Sequence, residues 1–172
     1  MSFAKSFSII AALAIVAAAP PATAHGIGQH ASSAATLKEQ RPWGIAGDDQ
    51  PGLRTIEIRM TDNMRFTPDR IQVRQGENIR FVVRNDGKML HEMVIGSKAH
   101  LDEHAALMMK FPDMGHDDPD MTHVKPGQND RIVWNFNRPG EFQFACLVAG
   151  HYQAGMVGRI SVTAASKTFQ RK

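Results

Sequence analysis

Apolar residues recur at every second position, in short bursts separated by turn residues, over most of the chain from Leu53 to Thr163. Ile56, Ile58 and Met60 alternate with Glu57 and Arg59; Ile71 and Val73 follow Phe66-Thr67-Pro68; Ile79, Phe81 and Val83 follow the Gln75-Gly76-Glu77-Asn78 turn. A period of two puts one side of an extended chain on a core and the other in water. After Asn85-Asp86-Gly87 come a short strand from Leu90 to Ile95, another from Asp130 to Phe136, a Pro139-Gly140 turn, and strands from Glu141 to Cys146 and Met156 to Thr163. About seven such strands divided by turn signals predict an all-β fold, a Greek-key antiparallel β-sandwich. Its expected core is Ile56, Ile58, Phe66, Ile71, Val73, Ile79, Phe81, Val83, Val94, Ile132, Trp134, Phe142, Phe144, Val157 and Ile160.

One segment breaks the pattern. Residues 96–127 form a long central loop with a short helix expected from Leu101 to Lys110 and Pro/Asp/Gly-rich chain after it. A connection of that length inside a domain is usually functional or mobile.

The N-terminal portion reads differently again. Met1 to Ser8 carries one charge, Lys5; Ile9 to Ala19 is an apolar run of eleven residues; Ala22-Thr23-Ala24 is a small-x-small cleavage site. That is the layout of a secretory signal peptide over residues 1–24. The run is shorter than the roughly 20 residues a spanning helix needs, so no membrane span is expected in the mature form. Residues 25–52 read as a flexible arm in which Trp43 is a candidate anchor, residues 53–164 as the folded domain, and 165–172 as a frayed tail. The net charge of +3 is spread along the chain, which gives no footprint for nucleic acid.

Cys146 is the only cysteine, and an exported chain with one cysteine makes no internal disulfide. It is either a buried inert thiol or a metal ligand. His151 lies five positions on and Met156 five further. Thiolate, imidazole and a weak thioether, completed by a second imidazole, form a mononuclear copper electron-transfer site. His91, at the head of a distant strand, is the candidate for that second imidazole. Gly150 and Gly155 each precede a ligand, where the loop must turn tightly. Zinc fits poorly because a thioether is a poor zinc ligand, and a dinuclear copper centre would need a second cysteine.

Here the chain resembles the cupredoxins, the type 1 (blue or green) copper proteins. Phe66-x-Pro68-x-x-Ile71-x-Val73-x-x-Gly76-x-x-Ile79-x-Phe81 is similar to the family's early strands. Pro139-Gly140-Glu141-Phe142-x-Phe144-x-Cys146, Gly150-His151 and Gly155-Met156-x-Gly158-x-Ile160-x-Val162 are similar to its last two. The resemblance implies one type 1 copper, cycling between Cu(II) and Cu(I), with His91, Cys146 and His151 as equatorial ligands and Met156 as the axial one. The Cys-x4-His-x4-Met spacing resembles the rusticyanin-like members more than plastocyanin. One departure stands out: many members carry Asn or Ser directly after the first histidine ligand, tying the two ligand loops together, and this chain has Glu92.

The central loop adds further soft donors: His100, His104, Met108, Met109, Met114, His116, Met121 and His123. They are either packing and solvated side chains or a secondary copper-loading surface. Spacing by four puts His100, His104 and Met108 on one helical face. Cleavage after Ala24 would expose His25 as a chelating N-terminus with His30 nearby; the alternative is a tail with incidental histidines. Two functions follow. The first is copper tolerance in the bacterial periplasm, where the protein binds, buffers or oxidises copper ions. The second is an electron carrier for redox partners such as c-type cytochromes or another periplasmic copper protein, with Leu147-Val148-Ala149 and Tyr152 as a docking patch. A multicopper enzyme fits worse, since one domain supplies no second catalytic copper.

Overall fold

The computed structural model describes residues 38–112, 114–115 and 117–165. The expected signal peptide, His25, His30, His116 and most of the expected tail lie outside the described residues. Among the described residues, ten strands and one helix follow in the order β1 (Ile45–Ala46), β2 (Arg54–Thr61), β3 (Arg65–Thr67), β4 (Arg70–Arg74), β5 (Asn78–Asn85), β6 (His91–Gly96), α1 (Lys98–Lys110), β7 (Met121–Val124), β8 (Asn129–Asn135), β9 (Gly140–Ala145) and β10 (Val157–Thr163). They form two five-stranded sheets, ordered β1-β8-β5-β2-β3 and β4-β10-β9-β6-β7. The fold is the expected all-β sandwich. Most neighbours are antiparallel, but each sheet holds one parallel pair, β2 with β5 and β4 with β10. Between β2 and β5 the chain leaves the first sheet to form β4 in the second, and such a crossover brings a strand back in the same direction.

Alternation sets the register. In β4, Ile71 and Val73 are buried while Arg70, Gln72 and Arg74 are exposed; in β5, Ile79, Phe81 and Val83 are buried. These side chains meet Ile58, Met60, Ile132, Trp134, Phe144 and Ile160 between the sheets. Burying each large side chain contributes about 1.5–3 kcal/mol, so this layer is what holds the two sheets as a rigid frame. Ile56 is half-buried at its margin, and Val157 is half-buried outside it, against a second cluster.

Strand β6 behaves differently, with all six residues buried. Met93 and Ile95 face the inter-sheet core, while Val94 faces a second cluster with Leu101, Ala105, Met108, Met121, Ala145 and Leu147. Helix α1 thus covers the outer face of the second sheet. Ser97 caps it by accepting the His100 N–H at 3.2 Å, so it starts at Lys98, three residues before the expected start. The four residues of β7 pair with β6, aligning Glu92 with His123 and His91 with Val124. That strand was hidden in the expected loop because four residues show too little alternation.

Part of the stretch expected as an arm is ordered. β1 pairs with β8, and Gly47 N–H donates to the Val133 carbonyl at 2.9 Å. Trp43 is buried at 4% exposure, its indole N–H donating to Asp120 Oδ2 at 2.9 Å and its carbonyl accepting from Trp134 Nε1 at 3.1 Å. A buried indole whose N–H is satisfied, with its backbone carbonyl also bonded, is an anchor of the kind expected of Trp43.

Candidate metal centre

The site lies at one end of the second sheet. β6 begins at His91, and Cys146 directly follows β9, the strand beside it. The chain then loops through His151 and Met156 into β10. That loop closes on itself: Cys146 N–H donates to the Met156 carbonyl at 3.1 Å, and Met156 N–H to the His151 carbonyl at 3.1 Å. Gly150 and Gly155 have φ of +88° and +87°, a region that side-chain-bearing residues disfavour.

The ligand atoms of His91, Cys146 and His151 all lie within 4.8 Å of one another, and all three residues are buried. Cys146 Sγ is 3.3 Å from His151 Nδ1 and 3.9 Å from His91 Nδ1. A three-coordinate ion with bonds of about 2.0–2.3 Å spaces its donors about 3.5–3.8 Å apart. The two separations bracket that range, so the donor set fits one soft or borderline ion. Met156 is fully buried in the same cluster as Cys146.

Electrostatics suit the same ion. Burial pushes the Cys146 thiol up to about 12, against the pull of the Glu92 N–H that it accepts at 3.4 Å. The thiol therefore holds its proton until a cation displaces it. Burial, reinforced by the His91 ring 4.9 Å away, lowers the His151 pKa and keeps that imidazole neutral, as a ligand must be.

Asp62, in the turn between β2 and β3, was not anticipated. Its carboxylate accepts Lys88 N–H at 2.8 Å, Met89 N–H at 3.3 Å and lies 3.0 Å from His91 Nε2. The Lys88 N–H, followed by His91, holds its pKa below the usual carboxylate range. Beside an ionised acceptor His91 Nε2 must carry the proton, which leaves Nδ1 free to face Cys146. Buried Asn85 holds the segment leading to His91, donating to the carbonyls of Met89 and Val124, each at 2.8 Å, and accepting Gly87 N–H at 2.8 Å. A Thr61-Asp62-Asn63 turn gives no hint of this long-range role.

Glu92 does tie the ligand loops together. Fully buried, it accepts Leu147 N–H at Oε1 at 2.7 Å, while its own N–H reaches the Cys146 sulfur. Its Oε2 lies 2.8 Å from His123 Nε2 on β7. Glutamate thus spans the distance with a longer side chain than Asn or Ser and carries a charge, which His123 balances.

The remaining soft donors disperse. Met108 and Met121 are buried in the cluster between α1 and the sheet. Each four-residue step along a helix drifts by about 40°, so Met108 has rotated toward the sheet while His100 and His104 remain half-buried outside. Met109 is exposed. His100, His104 and Met114 line one cavity. Leu147, expected in a docking patch, is buried under α1.

Two sheets enclosing a His–Cys–His cluster at one end define a cupredoxin, and residues 54–163 match the pattern of copper-binding proteins of the plastocyanin/azurin family. The chain belongs to that family, and its site is a type 1 copper centre. It is 46% identical over 135 residues to the copper-resistant cuproprotein CopI of Rubrivivax gelatinosus, covering 78% of this chain and 79% of that one. It is 32% identical to the copper-resistant cuproprotein CopI of Pseudomonas aeruginosa, covering 77% and 88% respectively. Among solved structures, reduced auracyanin from Roseiflexus castenholzii superposes with a TM-score of 0.54 at 25% identity, covering 63% of this chain and 96% of that one.

Proposed function

We propose that this protein is a periplasmic copper-tolerance cupredoxin in which His91, Cys146 and His151 would hold the type 1 copper, with Met156 as a weaker fourth donor. The observation that carries the ligand assignment is the convergence of the three donor atoms within 4.8 Å in a buried pocket. The names of the two CopI relatives support the tolerance reading. When bound, copper supplies one-electron chemistry between Cu(II) and Cu(I). The chain's own part is to hold the donors still. Asp62 orients His91, Glu92 spans the two ligand segments, and the loop from Cys146 to Met156 is braced by its backbone bonds. A frame that keeps one geometry for both oxidation states lowers the cost of changing between them.

Residues 1–24 direct export in this reading. Among the described residues no helix is long and apolar enough to cross a membrane. The experiment is a deletion strain grown in rising copper, complemented by wild type or by Cys146→Ser. Copper sensitivity rescued by wild type alone supports the proposal; normal growth of the deletion strain refutes it. Loss of the intense thiolate-to-copper absorption in Cys146→Ser tests the site separately.

A second reading has one observation in its favour. Met89 and Leu90, directly before His91, are 42% and 43% exposed. A small apolar patch beside a buried metal suits brief docking of a redox partner such as a c-type cytochrome. Electron transfer slowed by charged substitutions at both positions, with copper tolerance intact, would favour the carrier role.

A further inference from the structure

We infer that the outward face of α1 is a second metal site, in which His100 and His104, with Met114 and Asp118 across from them, take up a copper ion in either oxidation state. The inference extends the copper-handling reading, yet it stands on different residues from the type 1 centre.

His100 and His104 are one helical turn apart, so their rings project from the same face. The ring centroids are 5.9 Å apart. Imidazoles at i and i+4 on a helix are a recurrent chelating pair, because the helix fixes their spacing before the ion arrives. The opposite face of α1 is locked down by Leu101, Ala105 and Met108 against the sheet, so the helix cannot rotate the pair inward. Tyr152 OH donates to Asp102 Oδ1 at 2.6 Å and clamps the helix to the Cys146–Met156 loop.

The surroundings complete a cup. The buried Trp43 ring lies 4.6 Å from the His100 ring and limits its motion. The chain after α1 brings Met114 and Asp118 to the same cavity of about 350 Å³, with Glu103 and Leu107 as further lining. Arg41 Nη2, 3.4 Å from Asp118 Oδ1, offsets part of the negative charge. Two imidazoles with carboxylates suit Cu(II), and imidazole with thioether suits Cu(I). Three donors are not already gathered here as they are at His91, Cys146 and His151. The ligands must close on the ion, so this site binds more weakly and exchanges faster than the first.

The test uses the full-length mature chain carrying Cys146→Ser, which removes the type 1 thiolate. Cu(II) is titrated into it and into the same chain with H100A/H104A, with binding counted calorimetrically and typed by electron paramagnetic resonance. Any copper held by His25 and His30 is common to both proteins and cancels. Alanine is the best helix former, so α1 survives the change, and circular dichroism confirms it. The expected result is one fewer Cu(II) bound per chain and loss of one nitrogen-ligated signal. Ag(I), a redox-inert stand-in for Cu(I), is titrated into Met114→Leu; its affinity is expected to fall about tenfold while Cu(II) binding holds. Equal Cu(II) stoichiometry with and without His100 and His104 overturns the site; unchanged Ag(I) affinity in Met114→Leu overturns its Cu(I) half. Neither outcome depends on growth in copper, so failure here is distinguishable from failure of the tolerance role.

Discussion

Replacing His123 by alanine exposes what Glu92 needs. The Glu92 carboxylate is fully buried, and His123 is its cationic neighbour at 2.8 Å with a side chain 36% exposed. Removing one partner of a fully buried pair costs about 3–5 kcal/mol. Here water reaches the vacated His123 position and Leu147 N–H remains at 2.7 Å, so a loss of about 2 kcal/mol is expected. Glu92→Gln removes the charge but keeps the acceptor for Leu147, and should cost under about 1 kcal/mol. The double variant should therefore be more stable than His123→Ala alone, by about 1 kcal/mol. The assay is urea unfolding of the metal-free protein in chelator, followed by fluorescence of the buried Trp43 and Trp134. The pH dependence has a definite sign. The hydrogen bond to Glu92 raises the His123 pKa. Its stabilisation is thus complete below the unfolded value of about 6.5 and is lost as pH rises through the higher folded value. The difference between wild type and His123→Ala should shrink across that window, a comparison in which the contribution of His151 cancels. A His123→Ala protein within about 0.5 kcal/mol of wild type at pH 6, or a double variant no more stable than it, would refute the reasoning.

Three further outcomes follow from the site. Asp62→Asn should weaken copper binding about 10–100-fold in chelator competition, since an amide cannot accept from both Lys88 and His91; unchanged affinity would remove Asp62 from the centre. Gly155→Ala should cost about 1–2 kcal/mol in urea unfolding, because alanine pays for the left-handed backbone, while its Cβ meets Arg65 Nη1 only at an ordinary 3.4 Å. Copper loading at pH 7.5 should release one proton per type 1 site, from a thiol pushed up to about 12 by burial beside an imidazole already neutral. Calorimetry in buffers of differing ionisation enthalpy reads that proton directly.

The frame was legible because one face of most strands is wet. In β4 the arginines and glutamine mark the solvent side as clearly as Ile71 and Val73 mark the core. Legibility failed where both faces are covered or where the strand is short. Val94 faces α1 while Met93 and Ile95 face the other sheet, so β6 shows no alternation. β7 earns its place only through pairing with β6. The convergence of His91, Cys146 and His151 could be anticipated from residue type and spacing, since few side chains offer soft ligands. Asp62 could not, because it lies 29 positions from His91 and in the other sheet's turn. Long-range contacts of that kind are set by topology and leave no local pattern.

The same topology explains why Glu92 is tolerated where a shorter polar residue is usual. An unpaired carboxylate next to a copper thiolate would be costly in so dry a place. On this chain the central segment returns as β7 and sets His123 directly opposite Glu92 in register. A charged residue at that position needs a further strand to carry the counter-charge. Glu92 and the β7–His123 excursion are therefore coupled features, and the segment that carries the extra histidines and methionines also completes the bracing of the copper centre. A chain shortened to delete β7 should tolerate glutamine at position 92 better than glutamate, whatever becomes of the donors on α1.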